Sequence, residues 1–259
     1  MLSDFIYINN IRFNFYVIVL ASNCTLDIES DGRNIKCHHN SFILFERNVV
    51  FSARIKKIDA NKAPYILVKI DRDTLKKLKN IFFGVHGVIY IDESKMRDTS
   101  DKIINSSNND ELIELYEKIS ICNDVHLKLT KIALFLSKLE KREKIIESIY
   151  ISSASYFSDK VRNLIEKDLT IKWKLGMIAD KFNISEITVR KRLESEKNTF
   201  NQLLMQCRMN KAAELILENE YQISQISTMI GISNPSYFIK NFKEYFSVTP
   251  KKFFNYFRR

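Results

Sequence analysis

The clearest chemical grouping in this sequence is a polar, cationic face that recurs on two short segments. In the first, Ile187, Arg190, Lys191 and Glu194 fall away from Val189 and Leu193 over the stretch Glu186 to about Glu194. In the second, Ser236, Lys240 and Lys243 stand at spacings of 4 and 3, on a different face from Phe238 and Phe242. A helix divided in this way is anchored by its apolar side, while its outer side can donate hydrogen bonds to phosphates and base edges. Any surface helix carries Lys and Arg, so either segment alone reads equally well as a solvated face.

Stepwise repetition decides between these readings. Leu175, Ile178, Phe182, Asn183, Ile184 and Ser185 align, 48 residues apart, with Ile223, Ile226, Ile230, Gly231, Ile232 and Ser233. Each copy has an apolar helix, a turn residue suited to a left-handed backbone (Asn183, Gly231), an apolar plug (Ile184, Ile232) and a serine placed to cap the next helix. That is a helix-turn-helix pattern, twice. Between the copies, Phe200, Leu203, Leu204, Met209, Ala212, Leu215 and Ile216 mark one long connecting helix. Consecutive major grooves on one face of DNA are about 34 Å apart, so a rigid connector could let one chain read adjacent turns.

Other chemistries find little support. A jelly-roll metalloenzyme needs His-x-His with a following carboxylate, whereas His38 and His39 are adjacent and would point to opposite faces of a strand. His86 and His126 are isolated, and no G-x-S-x-G, P-loop or G-x-G-x-x-G occurs. The expectation is a protein that is not an enzyme and requires no cofactor. Four cysteines, Cys24, Cys37, Cys122 and Cys207, are widely spaced without Cys-x-x-Cys and read as reduced, mostly buried thiols.

The chain of 259 residues has a net charge of +10, 45% hydrophobic residues, and only 5 Gly and 3 Pro, which excludes collagen-like and disordered classes. From Tyr156 to Arg259 there are 18 Lys+Arg against 11 Asp+Glu, while the first 155 residues have 23 against 20. The basic part is therefore the one with the repeat, which suits a polyanionic partner. The longest apolar run, Phe15 to Ala21, is too short to span a bilayer as a helix, and Met1-Leu2-Ser3-Asp4 lacks a basic signal-peptide start. These features predict a cytoplasmic protein with no membrane partner.

The first 70 residues read as strands. Phe13 to Leu20 and Val49 to Lys56 alternate with period two, with shorter candidates at Thr25 to Glu29, Ile35 to Cys37, Ser41 to Phe45 and Tyr65 to Ile70. Helices are expected over Asp73 to Phe82, Asp110 to Ile121 and Val125 to Leu139, with a mobile loop from Asp98 to Asp110. Leu129, Ile132, Leu136 and Leu139 form a packing seam, which either docks onto the amino-terminal sheet or pairs two subunits. The run Lys141-Arg142-Glu143-Lys144 interrupts the apolar periodicity, placing a boundary near Lys141 to Ser155. The expected fold is α+β with two domains. Residues 1–150 read as a small β sandwich or barrel with helices, and residues 151–259 as an all-α DNA-binding domain with tandem helix-turn-helix motifs.

From about Lys160 to the end, the residues resemble the AraC/XylS family of transcription regulators. The resemblance rests on the first motif, the connector with Arg208, Ala212 and Leu215, and the terminal signature Ile232-Ser233, Tyr237-Phe238, Phe242-Lys243 and Val248-Thr249-Pro250. Ser247 departs from it, since the family usually has Gly there. The stretches 144–152 and 185–195, with Asn9-Asn10-Ile11 and Ser22-Asn23-Cys24, are similar to the enteric virulence activators of the Rns and ToxT type within that family.

The resemblance implies that residues 1–150 are a jelly-roll-like β domain with helices, for regulation, ligand and dimerisation, and that the chain is a sequence-specific regulator, an activator of virulence genes modulated by a fatty acid. Its implied partners are double-stranded promoter DNA and RNA polymerase, while a homodimer stays open as one of the two readings of the seam at 129–139. It puts Ile187, Arg190 and Lys191 of the first motif, and Ser236, Ile239, Lys240 and Lys243 of the second, nearest the DNA. Ile187 and Ile239 would touch thymine methyls or else be structural. A non-specific architectural nucleic-acid binder without a ligand is the alternative. For the effector, Lys69 lies among the apolar residues of Tyr65 to Ile70, and Asn14 on the expected face of Tyr16, Ile18 and Leu20. Lys69 either snorkels to solvent, pairs with an internal acid, or meets a ligand carboxylate, and with the resemblance the fatty acid is expected at Lys69 and Asn14.

Overall fold

Period-two alternation in the first part of the chain becomes two antiparallel sheets of four strands each in the computed structural model, which describes residues 5–86 and 97–258. One sheet has the order β1 (Phe5–Arg12), β6 (Val50–Lys57), β3 (Cys24–Ser30), β4 (Arg33–Cys37). The other has β7 (Ile66–Ile70), β2 (Tyr16–Leu20), β5 (Phe42–Phe45), β8 (Ile103–Ser106). Ala53 pairs with Ile8 on one side and Ile28 on the other, and all three are buried, so the register puts one apolar face inward. Phe45 of the second sheet stacks on Phe51 of the first, with ring centroids 4.6 Å apart.

Strand β2 is buried on both faces because helices cover the second sheet. α1 (Arg72–His86), α3 (Asp110–Ser120), α4 (Val125–Lys138) and α5 (Arg142–Ser152) contribute Leu78, Tyr116, Phe135 and Ile149 to one core with Ile18 and Phe42. Asn109 and Asp124 cap α3 and α4 by accepting from the amides of Leu112 and Leu127, both at 2.8 Å. The Tyr116 hydroxyl donates to the Ile18 carbonyl at 2.5 Å, tying α3 to the central strand. The chain divides into two compact units between Ala154 and Ser155.

Several expectations for this part are corrected. The strand expected over 13–20 begins only at Tyr16, because the Phe13 carbonyl accepts from Asn48 N and the Asn14 carbonyl from Arg47 Nε, at 2.8 and 3.0 Å. Strand β1 ends just before that turn and was not anticipated. The expected loop from 98 to 110 holds α2 (Thr99–Lys102) and edge strand β8, whose Ile103 and Ile104 are buried against β5. Arg97 fixes this segment: its guanidinium lies 2.6 Å from Glu46 and 3.2 Å from Glu147. The run 141–144 opens α5, whose Ile145 and Ile149 are core, and the chain divides after that helix, between Ala154 and Ser155, inside the range expected for the boundary. Of the seam on α4, Ile132 and Leu136 and the following Leu139 are buried within this same core and Leu129 packs on its edge, so the stripe is intramolecular. Met1-Leu2-Ser3-Asp4 lies outside the described residues, and among those described no helix is long and apolar enough to cross a membrane.

The second unit is helical throughout: α6 (Phe157–Ile165), α7 (Leu175–Phe182), α8 (Glu186–Ser195), α9 (Phe200–Glu218), α10 (Ile223–Met229), α11 (Pro235–Phe246) and α12 (Pro250–Phe257). Val161, Trp173, Ile178, Val189, Leu193 and Leu203 form a core around the first motif. Around the second, Phe242 packs against Phe238, Phe246 and Phe253 with centroids 4.8 to 5.9 Å apart. These four rings are buried, so none of them is available to stack on bases.

Candidate nucleic-acid interface

The two turns of the repeat have the same backbone. Asn183 and Gly231 take positive φ, 51° and 73°. Ile184 N donates to Ala179 O at 3.1 Å and Ile232 N to Ser227 O at 2.8 Å, bonds whose ends are all 48 residues apart. Asn183 N to Asp180 O and Gly231 N to Thr228 O repeat in the same way, at 3.2 and 2.9 Å. Each turn thus satisfies carbonyls at the end of one helix while redirecting the chain into the next. Ile232 is buried and Ile184 packs on the edge of the first core, as plugs between the helices.

Capping differs between the copies. Ser185 caps α8 as expected, its Oγ accepting from Thr188 N at 3.1 Å. In the second copy the cap is Asn234, one residue beyond the expected Ser233; its Oδ1 accepts from Tyr237 N at 3.0 Å, and Pro235 takes the first helical position. A proline there fixes the helical φ where no amide is needed, which moves the start of α11 by one residue.

The buried and exposed faces separate as the spacing required. Val189 and Leu193 of α8, and Phe238 and Phe242 of α11, are buried. Ile187, Arg190, Lys191, Ser236, Ile239, Lys240 and Lys243 are all exposed, with Ile187 at 68% and Ile239 at 39%. Arg190 also lines a groove of about 450 Å³ with Trp173, Lys174, Glu194, Asn198 and Thr199, between the starts of α7 and α9. Lys240 lies 3.8 Å from Glu244, an exposed pair of little strength that a phosphate could displace. Tyr237 was not singled out from the sequence as a contact; it is 56% exposed on the first turn of α11. Its position three residues before Lys240, on the same face, was the available signal.

Connector α9 spans 19 residues, about 28 Å at 1.5 Å per residue. Thr199 and Gln202 form a capping box at its start, Thr199 N donating to Gln202 Oε1 at 3.0 Å and Gln202 N to Thr199 Oγ1 at 3.3 Å. Arg208 in its middle donates to the Ile171 carbonyl at 3.3 Å, and its Nη2 would lie 2.9 Å from a Cβ at Gly231. One side chain of the connector thus bonds the loop before the first motif and lies against the turn of the second.

The expected effector residues are not brought together by burial. Lys69 is exposed on β7, its ammonium 5.6 Å from the Phe15 ring centroid, so it is not a cation enclosed by apolar neighbours. Asn14 is half-buried in the bend before β2, outside the strand itself. His39 Nε2 is 2.9 Å from the Ser22 carbonyl, and among the described residues no group of three His, Cys, Asp or Glu side chains is placed to hold a metal ion.

A family model described as a helix-turn-helix domain matches residues 178–256. The chain is 49% identical over 255 residues to the HTH-type transcriptional activator CfaD of Escherichia coli, covering 98% of this chain and 96% of the relative. It is 50% identical to the DNA-binding dual transcriptional regulator Rns of Escherichia coli, covering 98% and 95%. To the virulence regulon transcriptional activator VirF of Shigella flexneri it is 34% identical, covering 96% and 95%. Among solved structures, ToxT from Vibrio cholerae shares the fold, with a TM-score of 0.71 at 19% identity over 98% of this chain and 94% of that one. ToxT bound to an unsaturated fatty acid matches with a TM-score of 0.67 at 18% identity, over 98% and 91%.

Proposed function

Because this chain belongs to the AraC/XylS family of helix-turn-helix transcription regulators, we propose that it binds promoter DNA through both motifs and activates virulence genes. The observation that carries this reading is the duplicated turn, with matched positive φ and matched hydrogen bonds, each followed by a helix with a cationic exposed face. Arg190, Lys191, Lys240 and Lys243 donate to phosphates and base acceptors, Ser236 to either, and Ile187 and Ile239 meet thymine methyls. RNA polymerase is the partner at the promoter, and the protein acts in the cytoplasm. A homodimer, if formed, uses a surface other than the α4 stripe, which is core.

Competition gel shifts test the reading. A duplex selected from a random library by the full-length protein should resist displacement by random duplex by about 10³-fold or more. An architectural, non-specific binder would lose both equally.

A fatty-acid effector is the second part of the proposal, supported by the unsaturated fatty acid bound to ToxT, a protein of the same fold. Titration with a long-chain fatty acid should shift both thermal stability and DNA binding. No shift in either removes the effector, and an unchanged response in Lys69→Ala or Asn14→Ala removes that residue from its site.

A further inference from the structure

The carboxylate of Glu196, at the end of α8, accepts two hydrogen bonds from the start of α6: from Phe157 N at 2.6 Å and from Ser158 N at 2.8 Å. These are the first two amides of α6, where a helix leaves donors without internal partners and where a negative charge is favoured. Locally, Asp159 Oδ2 accepts from the amide of Tyr156, the residue preceding them, at 3.2 Å. For the amides of Phe157 and Ser158 a residue 38 to 39 positions later in the chain supplies the acceptors.

The turn after α8 is built to aim this side chain. Lys197 takes a left-handed φ of 54°, Asn198 N returns to Leu193 O at 2.9 Å, and Asn198 Nδ2 donates to the Glu196 carbonyl at 2.7 Å. Across the same junction the Arg192 guanidinium lies 5.4 Å from the Phe157 ring centroid. The repeat does not carry this contact over: 48 residues on, Glu244 lies inside α11 and pairs with Lys240.

We propose that Glu196 is a positioning residue for the first recognition helix, fixing the orientation of α8 against α6 so that its outer face meets one half of the DNA site. The proposal rests on the reading that α8 enters the duplex. A charge-assisted contact with two donors fixes direction as well as distance, and misplacing a reading helix by about 1 Å is enough to lose base contacts.

Hydroxyl-radical footprinting of the full-length protein on its selected duplex, scored separately over the two half-sites, tests this. Glu196→Ala should weaken protection of one half roughly tenfold to a hundredfold, the size of a lost charge-assisted pair, and leave the other half nearly unchanged. The double variant Glu196→Ala, Tyr156→Asn gives α6 a local cap; it should recover thermal stability without recovering the lost half. Recovery of that half as well would make Glu196 an ordinary cap and overturn the proposal, as would equal loss at both halves or no loss. If the alanine variant fails to fold, Glu196→Gln, which keeps one acceptor oxygen and removes the charge, must show the same one-sided loss or the proposal falls. A wild-type footprint with one protected tract instead of two would overturn the two-motif reading itself, an outcome visible before any variant is made.

Discussion

Gly231 approaches Leu169 so closely that a Cβ on Gly231 would lie 2.2 Å from the Leu169 carbonyl oxygen. Its φ of 73° is also one that side chains resist. The turn of the second motif thus packs directly on the loop that precedes the first, and the separation of the two motifs is set by this contact together with α9.

Gly231→Ala should therefore destabilise the second unit by about 2–4 kcal/mol, combining left-handed strain with a backbone clash. Asn183→Ala, at the matching position on an exposed turn, should cost only about 1 kcal/mol. Chemical denaturation measures both; equal costs would mean that the Leu169 contact contributes nothing.

Ser247 ends α11 with a φ of 60°. Its exposed side chain has no steric reason to be retained, so Ser247→Gly should stabilise the protein by roughly 1 kcal/mol. A lower denaturation midpoint would show that the serine side chain contributes more than its backbone strain costs.

The helix-turn-helix repeat was legible because its signals are local: apolar spacing, a turn residue and a cap within a dozen positions. What escaped was set by distant partners. Nothing near Ile103 and Ile104 announces an edge strand, because their place depends on pairing with Phe45 and Leu44. Arg97, Glu46 and Glu147 are far apart in sequence and meet only in the folded unit. The apolar stripe of α4 was visible, yet spacing alone does not say whether a stripe faces its own core or a second copy. Lys69 shows a related limit: apolar neighbours along β7 do not bury its side chain, which is exposed although Val17, opposite it on β2, is buried.

Leu136 is buried against α4's neighbours in the sheet-and-helix core. Leu136→Asp should lower stability by about 4 kcal/mol or more and yield unfolded protein by circular dichroism. A folded monomer would return the stripe to a subunit interface.

Burial pushes the thiols of Cys24, Cys37 and Cys207 up to about 12. Since the thiolate is the reactive form, these three should resist a thiol reagent at pH 8 in the native protein, while the part-exposed Cys122 is labelled. Mass spectrometry should find one adduct before denaturation and four after. Two or more native adducts would contradict the buried placement of the others.

The central claim is that one chain reads two adjacent turns of DNA with two different helices. Its most direct measurement is the footprint of wild type, Arg190→Ala and Lys240→Ala on the selected duplex. Wild type should protect two tracts about 34 Å apart on one face. Each variant should weaken one tract, a different one, by about 1–3 kcal/mol if the side chain contacts bases. A single tract for wild type, or the same tract weakened by both variants, would contradict the claim.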